Sequence, residues 1–421
     1  MPNYHPYPEY KDSGIDWLGK IPTHWQTLKI KYIADLKSGD SLTSEAISDD
    51  AEYPVYGGNG FRGYTTKYTH EGVHPLIGRQ GALCGNINYA NGKFWASEHA
   101  VIVTPLKEAN PFWLGELLRS MNLGQYSISA AQPGLAVDNI KNLAIPHPSI
   151  TEQNQIAAFL NRETAKIDQL IAKQQQLIEL LKEKRQAVIS HAVTKGLNPN
   201  VKMKPSGVEW LGDVPEHWEI KRIGLLFSES SSRADSDEEQ DFPILRVSIH
   251  HGISDKELTE EESDRKLQRS DDKSLYKVVH ENYLVYNMMR AWQGGFGAAK
   301  ISGLVSPAYV ICKPKTSIDS SFFELILRTA NAITELKRYS KGITDFRLRL
   351  YWDEFKDICV PVPPVSEVQL IIKSIEKISD QYNHLIGKAE EQIELLRERR
   401  AALISAAVTG KIDVREVALL A

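Results

Sequence analysis

The sequence predicts an α+β protein in which two strand-rich mixed domains are separated by an antiparallel two-helix coiled coil, the whole related by a pseudo-two-fold internal repeat. Three observations carry that prediction. The leader Trp17-Leu18-Gly19…His24-Trp25 returns as Trp210-Leu211-Gly212…His217-Trp218, both tryptophans at an offset of 193 residues. The segment Ile178-Glu179-Leu180-Leu181-Lys182-Glu183-Lys184-Arg185 returns as Ile393-Glu394-Leu395-Leu396-Arg397-Glu398-Arg399-Arg400, and Ala192-Val193-Thr194 as Ala407-Val408-Thr409, at an offset of 215. The stretches between these matching ends differ, so the chain is a tandem duplication whose frame is kept and whose middles have diverged.

The first leader is followed over residues 26 to 145 by short alternating segments broken by turns. Tyr53-Pro54-Val55-Tyr56, Tyr64 to Tyr68 and Ala100 to Thr104 read as strands, with turns at Gly57 to Gly60 and Asn91-Gly92. Phe112 to Met121 has the apolar spacing of one amphipathic helix. The second half repeats this order: Phe242 to Ser248, Tyr283 to Tyr286 and Ala308 to Cys312 as strands, then Phe322 to Leu336 as a helix. Its offset is larger by 22 residues, which the acidic, polar stretch from Ser254 to Lys273 accommodates as a surface excursion.

Each domain leaves through a proline-rich strand, Ile145-Pro146-His147-Pro148 and Val360-Pro361-Val362-Pro363-Pro364, into a long helix. Thr151 and Ser366 are the expected N-cap hydroxyls, each followed by a glutamate that suits the positive end of the helix dipole. Gly196 and Gly410 are the expected C′ residues. Ile167, Ile171, Ile178, Leu181 and Val188 on the first helix, and Ile393, Leu396 and Leu403 on the second, fall near heptad spacing. Helices of roughly 40 residues, about 60 Å long, exceed the width of domains this size, so the economical burial of both stripes is against each other. The first helix carries the chain away from domain one and the second brings it back, which makes the pairing antiparallel. The expected division is 1–150, leader and first domain; 151–196, first spacer helix; 197–365, second leader and domain; 366–412, second spacer helix; 413–421, tail.

Composition narrows the function. The 421 residues, 42% hydrophobic and 25% charged, suffice for two folded domains. No stretch approaches the roughly 18 apolar residues of a membrane helix and the first residues lack a signal-like apolar run, so no membrane association and a cytoplasmic location are expected. Cys84, Cys312 and Cys359 form no Cys-x-x-Cys pair, and the twelve histidines form no ligand pattern, so no metal site is expected. The formal charge of −4 means that any binding to nucleic acid relies on local patches, or on other chains for phosphate neutralisation.

Chemical motifs are sparse. Gly58-Asn59-Gly60-Phe61-Arg62-Gly63 has the Gly-x-Gly-x-x-Gly spacing, but strand rather than helix is expected after it, which makes it a turn. Asn110-Pro111-Phe112 faintly matches an amino-methyltransferase signature and reads as a helix start; Glu354-Phe355-Lys356 could be the tail of a nuclease motif but has no upstream acidic partner. No P-loop, His-Glu-x-x-His or nucleophile-elbow pattern occurs, and no catalytic residue is expected. What stands out are glycine-flanked basic and amide residues. Gly78-Arg79-Gln80-Gly81, preceded by Arg62 and Lys67, has Arg290-Ala291-Trp292-Gln293-Gly294 in the comparable place, and Gln132-Pro133-Gly134 corresponds roughly to Lys341-Gly342, which continues toward Arg347 and Arg349. Arginine engages guanine bidentately and glutamine adenine, and glycines let a loop approach a groove.

With these features together, the chain resembles the specificity subunit of type I restriction-modification systems. The resemblance spans essentially the whole chain and rests on Asp16-Trp17-Leu18-Gly19…Pro22-Thr23-His24-Trp25 and its copy, on Tyr56 to Gly60, on Ile145-Pro146-His147-Pro148…Glu152-Gln153, and on the closing motif Ile404 to Asp413; Val368 stands where the family commonly has glutamine. It implies two target-recognition domains that each read one half of a split double-stranded DNA site, with the coiled coil fixing their separation. It implies assembly with two methyltransferase subunits, which carry S-adenosylmethionine and methylate adenine, and with two restriction subunits, driven by ATP and Mg²⁺. The chain itself is then expected to hold no cofactor and no active site. The competing reading, an enzyme acting on nucleic acid with its own active site, rests on Glu354-Phe355-Lys356 and Asn110-Pro111-Phe112.

Overall fold

A computed structural model describes residues 4–81, 83–106, 109–127, 134–249, 252–255, 275–342 and 347–415. The chain divides into two units, Met1–Gln176 with Ala389–Ala421, and Leu177–Lys388. Gln132 and most of the expected surface excursion lie outside the described residues.

In the first unit the leader forms the hairpin β1 (Tyr10–Asp12) and β2 (Lys20–Pro22), followed by β3 (Gln26–Lys29) and β4 (Ala34–Ser38). Then come β5 (Tyr53–Gly57), β6 (Gly60–Thr65), β7 (His70–Glu71), β8 (His74–Gly78), β9 (Ile87–Ala90), β10 (Lys93–Ala96) and β11 (Ala100–Pro105). Helices α1 (Pro111–Ser120) and α2 (Val137–Lys141), then β12 (Ala144–His147), lead into α3 (Ile150–Lys195). The central sheet has the order β4-β11-β8-β9, and β11 opens with four consecutive buried residues, as a strand covered on both faces does. A second sheet runs β6-β5-β10-β7, and β12 pairs with β3. Asn110 caps α1, its Oδ1 accepting from Phe112 N at 2.9 Å and Trp113 N at 3.0 Å ahead of Pro111, so the Asn-Pro-Phe motif is a helix start.

The second unit repeats the frame. Strands β13 (Met203–Pro205) and β14 (Asp213–Pro215) form the leader hairpin, followed by β15 (Glu219–Arg222), the short α4 (Ile223–Leu226) and β16 (Phe227–Ser230). Helix α5 (Asp237–Gln240) precedes β17 (Arg246–Ser248), β18 (Gly252–Ser254), β19 (Lys277–Val279), β20 (Leu284–Asn287), β21 (Phe296–Ala298), β22 (Gly303–Val305) and β23 (Tyr309–Pro314). Helices α6 (Ser320–Leu327), α7 (Ala330–Tyr339) and α8 (Trp352–Phe355), then β24 (Cys359–Val362), end in α9 (Val365–Val408). Its sheet order β16-β23-β20-β21 copies β4-β11-β8-β9, and β15-β24 copies β3-β12. The other strands diverge, a four-stranded sheet in the first unit against the pairs β17-β18 and β19-β22 in the second, and so do the helices ahead of the exit strands, α1 and α2 against α6, α7 and α8.

Several expectations are corrected in detail. The helix expected over Phe322 to Leu336 is two helices, because Thr329 restarts it: its hydroxyl caps α7 at Ala332 N. The strand expected from Tyr64 to Tyr68 ends at Thr65, and that from Phe242 begins only at Arg246. The cap of α3 is Ser149, whose Oγ accepts from Glu152 N at 3.3 Å, and α9 starts after Pro364, whose carbonyl accepts from Glu367 N; Thr151 and Ser366 lie inside the helices.

The leader's role is visible in both units. In the first, His24 Nε2 lies 3.0 Å from Glu152 Oε2 on the first turn of α3, and Tyr7 donates to Glu152 Oε1 at 2.7 Å. Gly410, just past the end of α9 at φ +74°, lies against Pro22 and Trp25, where a Cβ would sit 2.6 Å from Pro22 Cδ. In the second, His217 Nε2 lies 2.7 Å from Glu367 Oε2 on the first turn of α9, and the Trp218 indole donates to the same oxygen at 3.0 Å. Gly196, past the end of α3 at φ +79°, lies against Trp218 and Pro215. Each leader therefore clamps the start of one long helix to the end of the other.

The helices pack within each unit as this clamp requires. Ile156, Phe159, Leu160 and Ile167 of α3 share the first core with Leu403, Ile404, Ala407 and Val408 of α9, and Arg400 Nε reaches Asp168 at 2.9 Å. Ile189, Ala192 and Val193 of α3 share the second core with Val368, Ile371 and Ile375 of α9, and Arg185 bonds Asn383. The start of one helix against the end of the other is an antiparallel pairing in both units. Of the heptad positions, Ile167, Ile178, Ile393 and Leu403 are buried, and Ile171, Leu181, Val188 and Leu396 are half-buried.

Candidate nucleic-acid interface

The two central sheets each extend one loop, between β8 and β9 and between β20 and β21. Ile77 pairs with Ile87 and Tyr286 with Phe296, so each loop has nine residues, Gly78 to Asn86 and Asn287 to Gly295. Their backbones are wired alike. Gly78 N donates to Asn86 O at 2.8 Å and Asn287 N to Gly295 O at 3.1 Å; Cys84 N donates to Gly81 O at 3.0 Å and Gln293 N to Arg290 O at 2.9 Å. Gly85 and Gly294 hold φ of +87° and +85°, a left-handed conformation that only glycine adopts without strain. At the loop entrance Leu135 N donates to Arg79 O, and Leu350 N to Met288 O, both at 2.9 Å.

This wiring aligns the loops position by position: Arg79 with Met288, Gln80 with Met289, Gly81 with Arg290 and Cys84 with Gln293. Arg290 and Gln293 thus occupy the same loop as Arg79 and Gln80 but not the same positions. Likewise Gly134, which bridges to Gln80, corresponds to Arg349 rather than to Gly342, since Leu135 and Leu350 make the same bond. Matching by glycines alone misplaces both sets, because hydrogen-bond register, not composition, defines equivalence.

In the first unit the loop gathers most of the candidates. Arg79 is half-buried and its Nη1 donates to Ser38 Oγ at 3.2 Å. Gln80 is exposed, with Oε1 3.1 Å from His99 Nδ1, while His99 Nε2 faces Glu98 Oε1 at 3.3 Å. The β5–β6 turn lies against this loop, since a Cβ on Gly78 would stand 2.3 Å from Gly58 O, and the stem of exposed Arg62 covers Gly57. Lys67 is not brought here: it follows Thr65, which pairs with Tyr53 at the far end of the hairpin from the Gly57–Gly60 turn.

In the second unit Arg290 Nη1 donates to Gln293 Oε1 at 2.9 Å, both half-buried. Lys341, Arg347 and Arg349 are exposed, and Lys341 and Arg349 exchange backbone hydrogen bonds at 2.9 Å beside the loop entrance. Lys341 also bonds Glu354, whose carboxylate raises the amine's pKa, whereas Lys356 bonds Asp353. The two charges of Glu354-Phe355-Lys356 thus go to different ion pairs. Among the described residues no three His, Cys, Asp or Glu side chains gather as a metal site. A shallow cavity lined by Arg119, Arg397 and Arg400 has its charges internally paired, to Glu116, Glu394 and Asp168.

A family model described as Type I restriction modification DNA specificity domain matches residues 22–180, from the first leader through most of α3. The chain is 44% identical over 134 residues to the type I restriction enzyme EcoprrI specificity subunit of Escherichia coli. Over that first part the chain is similar to the specificity subunits of type I restriction enzymes. The Escherichia coli match covers 31% of this chain and 33% of that protein, so the chain spans about a third of the length of the first curated relatives it matches. The putative type I restriction enzyme MjaX specificity subunit of Methanocaldococcus jannaschii is 23% identical across 94% of this chain and 96% of its own length. A solved chain from work on complex assembly and conformational transition of the type I R-M system matches 93% of this chain and 99% of its own length, at 12% identity and a TM-score of 0.62, a likeness of fold.

Sequence reasoning singled out the loops, the helices and the leader repeat, but not Met288, Met289 or His99. Two methionines carry no polar signal, and His99 becomes a partner of Gln80 only through β11 pairing with β8.

Proposed function

We propose that this chain is the specificity subunit, the DNA-reading component, of a type I restriction-modification system, each unit presenting one recognition head to one half of a bipartite double-stranded site. The single observation that carries the reading is the pair of nine-residue loops, alike in backbone wiring and unlike in side chains. A fixed frame that holds dissimilar side chains at matching positions suits the reading of two different half-sites. Arg62, Arg79, Gln80, Arg290, Gln293, Lys341, Arg347 and Arg349 are the base and phosphate contacts of this proposal, with Lys67 and Gln132 as further backbone contacts.

The proposal assigns 1–150 and 197–365 to the heads with their leaders, 151–196 and 366–412 to spacer helices that set the distance between half-sites, and 413–421 to a tail. The Asp168–Arg400 pair in one unit and the Arg185–Asn383 pair in the other each join α3 to α9 within their own unit, which supports the spacer role. The repeated helix surface, Ile178 to Arg185 and Ile393 to Arg400, offers two equivalent docking sites for two methyltransferase subunits, and two restriction subunits complete the assembly. Those partners bring S-adenosylmethionine, ATP and Mg²⁺, act in the cytoplasm, and supply positive charge that a chain of net charge −4 lacks. This chain contributes recognition and no catalysis.

Footprinting of the assembled complex on its methylated target tests this. Two base-specific clusters about one helical turn apart are expected. Arg79→Ala should relax choice in one cluster and Arg290→Ala in the other; a single cluster, no preference, or equal loss in both would overturn the reading.

A further inference from the structure

We infer that Met289 reads the C5-methyl of a thymine, at the step of its half-site equivalent to the one where Gln80 reads its base in the other. The inference rests on the DNA-reading role proposed above and names how one head does it.

Four independent registers fix the equivalence of the two positions: the β8–β9 and β20–β21 pairings, the matching Gly78–Asn86 and Asn287–Gly295 bonds, the left-handed Gly85 and Gly294, and the Leu135 and Leu350 bonds to the preceding residue. Gln80 sits there as an exposed amide oriented by His99. An oriented amide offers a donor and an acceptor together, which is the pattern adenine presents in the major groove.

At the same place the second head has Met289, 44% exposed. Arg79 N donates to the His99 carbonyl at 2.8 Å and Met288 N to the Ala308 carbonyl at 3.4 Å, so the residue equivalent to His99 is an alanine. The positions held by the polar Gln80 and His99 are thus held by the apolar Met289 and Ala308. The Met289 side chain has no hydrogen-bond donor and only a weakly accepting sulfur, so it matches no base edge by hydrogen bonding as an amide does. The one base edge in the major groove that offers an apolar group is thymine's methyl.

The loop also holds Met289 in place. Its N donates to Asn287 Oδ1 at 3.0 Å, and the Trp292 indole donates to its carbonyl at 3.0 Å, so the backbone is tied on both sides while the residue stays exposed. Solvent exposure of nearly half an apolar side chain on a tied loop has no role in the core of this unit. A polarizable, unbranched side chain adapts to the methyl it meets.

The test uses the full chain co-assembled with the methyltransferase subunits of its own system. Duplexes carry the mapped site with each thymine replaced in turn by uracil, which removes the methyl and leaves every hydrogen-bonding group. One substitution in the half-site of the second head should weaken binding about four-fold, the worth of one buried methyl group. Met289→Leu should keep that sensitivity, and Met289→Gln should abolish it and move the preference at that position toward adenine, with the first half-site and the melting temperature unchanged. Equal sensitivity in wild type and Met289→Gln overturns the inference and leaves the bipartite reading intact. A wild-type complex with no sequence preference overturns both.

Discussion

His24 Nε2 lies 3.0 Å from Glu152 Oε2, joining the leader of the first unit to the opening turn of α3 across 128 residues of sequence. The same carboxylate takes the Tyr7 hydroxyl, and only 5% of the Glu152 side chain is exposed. Removing the carboxylate strands a buried phenol and a histidine. Glu152→Ala should cost about 2 kcal/mol of stability in denaturant titrations, and His24→Ala less, since the imidazole is nearly half exposed. In a double-mutant cycle the two losses should fail to add; simple additivity would show that the pair does not couple.

The end of α9 supplies a second test. Gly410 combines φ of +74° with a would-be Cβ 2.6 Å from Pro22 Cδ, so Gly410→Ala should destabilise by about 2 kcal/mol or more. Gly387, in the interior of the same helix with no atom within 4 Å of its would-be Cβ, is the contrast. Gly387→Ala should stabilise by up to about 1 kcal/mol. Equal effects in calorimetry would refute the steric account of the leader clamp.

Packing of the two helices separates buried from exposed leucines. Leu403 is 3% exposed within the first core, and Leu403→Ala should cost about 3 kcal/mol. Leu395, half exposed on the same helix, should change the stability of the isolated chain by no more than about 0.5 kcal/mol when replaced by alanine.

Acid should weaken the first unit through His70. Burial lowers its pKa below the ordinary histidine value, and neighbouring His74 lowers it further, while its ring stacks on Phe94. The folded state then holds the proton less tightly than the unfolded state does. The contribution of neutral His70 is therefore complete above pH about 6.5 and is lost as pH falls through the lower folded value. Melting temperatures taken from pH 7.5 downward should fall below that point, and His70→Gln should flatten the decline.

The frame of this protein was legible because duplication wrote it twice. The offset of 193 residues between leaders marks strands that occupy the same sheet positions, and the prolines after Ile145 and Val360 mark the entries to both helices. The cap is ambiguous in the sequence because Ser149 and Thr151 both carry hydroxyls near the first turn; the bond from Glu152 N to Ser149 Oγ distinguishes them. The equivalence of the two loops was hidden for a similar reason. Arg-Gln in one and Arg-Ala-Trp-Gln in the other look alike, yet strand pairing places Arg290 two positions further along than Arg79. Alternation of apolar residues reports which face of a strand is covered, but it says nothing of register between strands far apart in sequence.

The two units differ in how the ribosome delivers them. The second is one unbroken stretch, Leu177–Lys388, and all of its parts have been synthesised before the last helix is finished. The first is stitched from two separate stretches, Met1–Gln176 and Ala389–Ala421, with Asp413 N donating to His5 O at 2.8 Å and Tyr10 donating to Gly410 O at 3.1 Å. The nascent portion before residue 177 must therefore wait, its seat for the closing segment empty, until the residues from 389 onward have been made. A message truncated before residue 389 would leave that earliest-made portion the incomplete one.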